Sequence, residues 1–503
     1  MRINTTKCVQ QIKEKLHKDS DLKEREMQFF SMHTTVIYLA PMVDYELANE
    51  NILKPLLEFD GKKKGSLINT ITQNVLIDGE IELCDSVDIA VEKMLKGFVA
   101  IIIDKQSQIV CVNAEKIVVR PISIPPNSTV VKGPREGFNE SLKYNLSLLR
   151  RRLVTDKLVV SSLNVGRLTQ TQVAICYLEN VASKKIVKEI ERRLKKIDID
   201  GIIDSSYISS FLQKRPNSLF KQVGDTEKPD ILCSKLLEGR VGILVDGSPI
   251  ALTLPFLLIE DLQNADDYYN QHVRISFVRI LRLVGIILAV LLPGVYVALQ
   301  LYHYKIIPIQ FLITIMDTTQ GIPFTPFTEI VFVVLLFEVL YEANLRMPQY
   351  LGMALSIVGA LILGDTAVNA GLVSPPAVMI VALSGLTFYM VPNQSAQFAM
   401  LRLMFILFGA VLGLFGIIVG VLALLSYLSS FDSYDSPYLA PISPYVACDQ
   451  KDLFLKKDLC QMKKRPYSIP VNPKNRIRLR TRPLNKAQKQ ILKRKEQKNE
   501  NKL

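Results

Sequence analysis

LVGIILAVLLPGVYVALQLY, residues 283–302, carries Gln300 as its one strongly polar side chain. At a rise of about 1.5 Å per residue, a helix of this length matches a hydrocarbon core about 30 Å thick. A helix also satisfies its own backbone hydrogen bonds, which lipid cannot do for it. The run therefore predicts a membrane span, and it divides the chain. Ahead of it the sequence is charge-rich, with strand-like and helix-like patterns in alternation. Beyond it, as far as Leu428, almost every segment is apolar. The expected fold class is a two-lobed α/β cytoplasmic domain followed by an α-helical multi-pass transmembrane domain.

Charge follows the same division. From Lys451 onward 18 Lys/Arg face four acids, a surplus that accounts for the whole net charge of +13 and leaves residues 1–450 close to neutral. Seven dispersed cysteines with no paired spacing suit reduced thiols and a cytosol-like compartment. The N-terminus has no apolar h-region, so no cleaved signal peptide is expected. A basic tail beside membrane spans stays inside, which places both termini in the cytoplasm and requires an even number of crossings. Four crossings are expected, with six as the alternative. The chain is read as a lead-in over 1–50, a cytoplasmic α/β domain over 51–265 and a helical membrane domain over 266–432. An exit segment over 433–465 and a basic, disordered tail over 466–503 complete it.

Polar exceptions inside the apolar half are the candidate functional residues. Glu338, Glu342 and Arg346 fall on one helical stripe, with Glu329 on roughly the opposite face. Acids at membrane depth usually face a cavity, a pore or a partner. The bland reading is a solvated interfacial Glu342–Arg346 pair. SIVGALILGDTAVNAGLVSP (356–375) sets Gly359, Gly364, Asp365, Thr366 and Asn369 in an apolar span. They suit an ion path or, as readily, close helix packing. The pairs Gly409/Gly413 and Gly416/Gly420 are packing signals. Arg274, Arg279 and Arg282, just ahead of the first span, are expected at the cytoplasmic interface, joining the soluble domain to the membrane half. The four histidines and the scattered cysteines have no metal-ligand spacing, so no metal or other cofactor is expected, nor an enzyme. The tail is expected on anionic lipid headgroups rather than on nucleic acid.

Several motifs carry a resemblance. VKGPREGFNESLKYNLSLLRRRL (131–153), GRLTQTQVAICYLE (166–179), TEKPD (226–230), LLEGRVGILVDGSP (236–249), PFTPFTEIVFVVLLFEVLYEANLRMPQ (323–349) and SPYLAPISP (436–444) stand in one order across both halves. Together they resemble the A subunit of GerA-type spore germination receptors, over roughly residues 60–444. Gln170, Lys228 and Asp435 depart from the usual Lys, Arg and Gly, and 121–127 is a poor match. The resemblance implies a non-enzymatic receptor subunit in the spore inner membrane. It also implies a homo-oligomeric ring, a transporter-like B subunit that binds germinant, a lipoprotein C subunit, and ion release through the membrane part. The rival reading is a self-sufficient secondary transporter of a small solute, which internal inverted repeats would favour; none is visible.

Overall fold

The computed structural model describes residues 5–17, 19–59, 67–76, 80–115, 132–346, 359, 362–391, 394–458, 461–462 and 464–472. The apolar run at 116–124, the stretch 350–358 and the basic tail beyond 472 lie outside the described residues.

Two lobes precede the membrane half. Lobe 1 holds α1 (Thr5–Lys15), β1 (Leu22–Phe29), β2 (Met32–Leu39), a helical segment from Tyr45 to Glu58, β3 (Ile81–Cys84), α2 (Val87–Met94), β4 (Phe98–Ile103) and β5 (Ile109–Asn113). Its sheet runs β1-β2-β4-β5-β3, antiparallel throughout. The central strand β4, FVAIII, is buried along its whole length because both sheet faces are covered. α1 and α2 pack Ile12, Leu16 and Met94 on one face. The helices between β2 and β3 pack Ile52, Leu56 and Ile71 on the other.

Lobe 2 repeats this plan. It holds α3 (Leu142–Arg152), β6 (Leu158–Val165), β7 (Thr171–Leu178), α4 (Lys184–Leu194), α5 (Ser205–Leu212), β8 (Gly224–Thr226), α6 (Pro229–Glu238), β9 (Val241–Val245) and β10 (Ala251–Leu254). The order β6-β7-β9-β10-β8 is that of lobe 1, again all antiparallel. β2 and β7 share the same alternation of exposed and buried residues. In each lobe a helix leads to a left-handed glycine and then to the central strand. Gly97 (φ 92°) opens KGFVAIIID (96–104), and Gly239 (φ 101°) opens EGRVGILVD (238–246). The soluble half is thus an internal duplication with a spacing of about 140 residues, beyond the 20–50-residue periods that mark repeat arrays.

Residues 1–50 are not a lead-in: from Thr5 onward they supply α1 and the β1–β2 hairpin of lobe 1. β1, LKEREMQF, is an edge strand with a mostly exposed, charged surface, so its sequence lacks the apolar alternation that announces a strand.

The lobes join through buried charge. Arg150 of α3 is 1% exposed and binds Asp19 and Asp21, which precede β1; its Nη2 stands 3.0 Å from Asp21 Oδ2. Ser20, between the two acids, donates its backbone N–H and its hydroxyl to the Val160 carbonyl of β6. Burial raises the Asp21 carboxyl to about 6 against the opposing pull of Arg150. An acid whose folded pKa lies above its unfolded value of about 3.9 contributes stability at low pH, and loses it as pH climbs through the folded value. Asp21→Asn keeps the neutral form at every pH. Relative to the native protein, its thermal stability is expected to rise between pH about 4 and about 6 and to level off above that range.

Among the described residues, two helices are long and apolar enough to cross a membrane: α7 (His272–Tyr302) and the run Ala396–Ser429 within α11 (Ser395–Ser429). α8 (Ile309–Thr319), α9 (Pro326–Arg346) and α10 (Pro375–Phe388) lie between them. α11 is not one straight rod. Gly413 takes φ 63°, ψ −148°, outside the helical region, and the chain doubles back there. Cβ atoms placed on Gly416 and Gly420 would press on Phe408. At its start Gln394 binds Asp261 of the soluble half, and just past its end Arg215 Nη2 donates to the Ser430 carbonyl at 2.9 Å. Both ends of this hairpin therefore rest against lobe 2.

The segment after the hairpin returns to lobe 2. Phe431 and Tyr438 join the cluster formed by Phe220 and Phe256. Further on, Ile469 and Val471 enter lobe 2's core, and Val471 pairs with Ala182. The expected disorder from 466 onward is thus corrected for 466–472. Ile469 and Val471 give that short stretch buriable apolar surface, which the average composition of a basic tail conceals.

A membrane-depth charge network and a basal joint

The base of α7 is fixed to both the soluble half and the returning segment. Spacing of three residues puts Arg279 and Arg282 on one helical face. Asp267, fully buried in the one-turn helix Asp266–Tyr269 before α7, accepts Arg279 Nε at 2.8 Å and Arg282 Nη2 at 3.0 Å. Arg279 also reaches the Asp452 and Leu453 carbonyls, at 2.7 and 2.9 Å, and Arg282 reaches the Leu262 carbonyl at 2.8 Å. The Lys456 ammonium bonds to the Asp267 carbonyl, and burial pushes its pKa down. Burial likewise raises Asp261, the partner of Gln394, to about 6. Arg274 is exposed and stands outside this joint.

Along α9 the acidic stripe divides. Glu342 and Arg346 pair with each other at 2.6 Å on an exposed face. Glu338 instead binds Arg402 of α11, whose side chain is 1% exposed. Arg402 Nη1 also approaches Ser384 Oγ at 3.3 Å, and its guanidinium lies 4.6 Å from the Phe388 ring centroid. Ser384 donates to the Ala289 carbonyl at 2.8 Å. One polar cluster thereby ties α7, α9, α10 and α11 together. Glu329, nearly buried on the other face of α9, accepts the Ser374 backbone N–H at 2.5 Å, where Ser374 caps α10.

The glycine-rich stretch is not brought into this cluster. Gly359 is buried against Leu340, whereas a Cβ on Gly364 would meet nothing within 4 Å. Asp365, Thr366 and Asn369 are exposed, and Asn369 Nδ2 donates to Asp365 Oδ1 at 2.8 Å. Among the described residues, no group of three or more His, Cys, Asp or Glu side chains is placed to hold a metal ion.

Of the spaced glycines in the last run, Gly409, Gly416 and Gly420 make close packing contacts, whereas Gly413 makes the turn. A Cβ on Gly409 would overlap the Gly294 carbonyl oxygen, so α7 and α11 touch backbone to backbone. Tyr302 donates to the Ala410 carbonyl at 2.8 Å just beyond that contact. Gly409→Leu is expected to separate the two helices and to lower the unfolding temperature of the detergent-solubilised protein sharply, whereas Gly364→Leu, facing open space, is expected to leave it nearly unchanged.

The profile of the Bacillus/Clostridium GerA spore germination protein family matches residues 10–468. The chain belongs to the GerA family. It is 31% identical over 475 residues to spore germination protein KA of Bacillus subtilis (strain 168), covering 93% of this chain and 87% of that one. It is 30% identical over 482 residues to spore germination protein GerLA of Bacillus cereus, covering 94% and 98%. Among solved structures, the N-terminal domain of the A subunit of the Bacillus megaterium spore germinant receptor GerK3 is 26% identical, spanning 50% of this chain and 96% of that one, with a TM-score of 0.40. As a GerA-family chain it carries two residues of its joint, Asp267 and Asp452, and one of its membrane cluster, Arg402, that the sequence reading does not single out. For Arg402 a signal existed: it is the lone charged residue in the apolar stretch 396–429, and such residues rarely lack a role.

Proposed function

We propose that this GerA-family chain is the A subunit of a germinant receptor in the spore inner membrane. Several copies assemble as a ring whose membrane half gates ion release. A transporter-like B subunit binds the germinant, and a lipoprotein C subunit assists. The observation that carries the reading is the exposure of Asp365, Thr366 and Asn369 on the single chain at membrane depth. Polar side chains there are costly against lipid and call for water or a neighbouring copy beside them. The return of α11 at Gly413 makes the last apolar run two crossings, which suits an even total with both termini cytoplasmic. Germinant then acts by binding more tightly to the receptor whose ring is open. The test is ion release from vesicles holding the chain with its B and C partners. Asp365→Ala and Thr366→Val are expected to alter release or germinant sensitivity. Unchanged behaviour in both would remove this stretch from the ion path.

A further inference from the structure

α7 begins well ahead of its apolar run. Val273, Phe277, Ile280, Val284 and Ile287 are all exposed on it, the first two at 70% and 68%. Their spacing of 4, 3, 4 and 3 residues is the alternation of a coiled-coil seam. In heptad terms Phe277 and Val284 take a positions, and Val273, Ile280 and Ile287 take d positions. The other side of the same stretch is already committed. Ile275 is buried there, and Arg279 and Arg282 are held by Asp267.

Lipid covers only part of this seam. The apolar run starts at Leu283; at about 1.5 Å per residue, Val273 lies about 15 Å before it along the helix and Phe277 about 9 Å. The headgroup layer adds only about 5–8 Å to each side of the hydrocarbon core. At the level of these two residues α7 rests against polar backbone. Ser276 Oγ accepts the Lys456 N–H at 3.0 Å, and Arg279 reaches the Asp452 carbonyl at 2.7 Å. Val273 and Phe277 thus face water on the single chain, a cost that a second helix laid along the seam removes.

Heptad spacing specifies what that helix is. Knobs at a and d fit holes made by the same repeat on a facing helix, so the seam complements a copy of itself. Every d position is β-branched, whereas two-stranded coils take Leu there, so the pattern suits more than two strands. Copies that enter a membrane in one sense have parallel α7 helices. We propose that the α7 bases of more than two copies of this chain pack in parallel along this seam, on the soluble side of the membrane. This contact presupposes the ring of copies already proposed and gives it a surface.

The test is cysteine cross-linking of the full-length chain in membranes with its B and C partners. Cys448→Ser and Cys460→Ser are made first; the other five cysteines are buried. Val273→Cys, Phe277→Cys and Ile280→Cys, one at a time, are oxidised with copper phenanthroline beside His272→Cys and Val278→Cys, which lie off the seam. The three seam positions are exposed, so a cysteine at any of them leaves the fold intact. They are expected to yield a product of twice the chain's mass several-fold more strongly than the two controls. A flat profile, or no product of that mass, overturns the proposal, and that is the outcome if another subunit or a segment of the same chain lies on the seam. Native mass in detergent separates this failure from failure of the ring. An oligomer with a flat profile overturns the seam alone, and a monomer overturns both.

Discussion

Arg402→Ala is expected to destabilise the membrane half by about 1.5–3 kcal/mol, because it removes the buried charged partner of Glu338, whose own side chain is 31% exposed. Glu338 would lose its ion-pair partner, and Ser384 one of its contacts. The double change Glu338→Leu with Arg402→Met should recover most of the loss, since apolar residues of similar volume often replace a buried pair at little cost. Thermal unfolding in detergent of the single and double variants measures this coupling directly. If Arg402→Ala is no less stable than the native protein, the pair contributes nothing to holding α9 and α11 together.

Asp267→Ala has the second large expected effect. It removes the one carboxylate shared by Arg279 and Arg282 and leaves Arg279 buried with its Asp452 and Leu453 contacts and the Tyr268 ring. A loss of about 3–5 kcal/mol is expected here. The location of the damage is the informative part. Lobe 1 lies away from the joint, so its amide hydrogen exchange should stay protected while exchange rises at the base of α7 and over residues 449–457. Arg274→Ala, changing an exposed arginine earlier on the same helix, is expected to do almost nothing. Equal damage from the two changes would mean that the joint is held by general charge rather than by Asp267.

The major division of the molecule was legible in the sequence, because a run of twenty apolar residues is long enough to cross a bilayer and too apolar for a half-exposed helix. Lobe 2 was also legible: KLVVSSLNV and QVAICYLEN hold short runs rich in β-branched apolar residues, and α4 has a clear apolar stripe. β1 was not, since an edge strand can be charged along its exposed face. The duplication escaped for a different reason. What the lobes share is the order of pairing and the glycine that ends the helix before the central strand, and few side chains repeat between them. In the membrane half, local spacing grouped Glu338 with Glu342 and Arg346. The actual partner of Glu338 lies 64 residues away in sequence, and helical spacing carries no information about such contacts. The return at Gly413 was hidden likewise, because a glycine in an apolar run signals close packing as readily as a turn.

Ile469 and Val471 sit in the core of lobe 2, more than two hundred residues after the last strand of that lobe. A ribosome therefore releases nearly all of lobe 2 long before it makes the residues that close it. Both helices long and apolar enough to cross a membrane are synthesised in that interval. Lobe 2 must wait, with the seat for Val471 beside Gly239 still open. Its final packing thus reports on events upstream: the returning segment can reach this seat only after α11 has turned at Gly413 and come back to lobe 2. A chain whose membrane half inserts in the wrong sense would be left with an unfinished soluble lobe, a defect that quality-control proteases can recognise without entering the membrane.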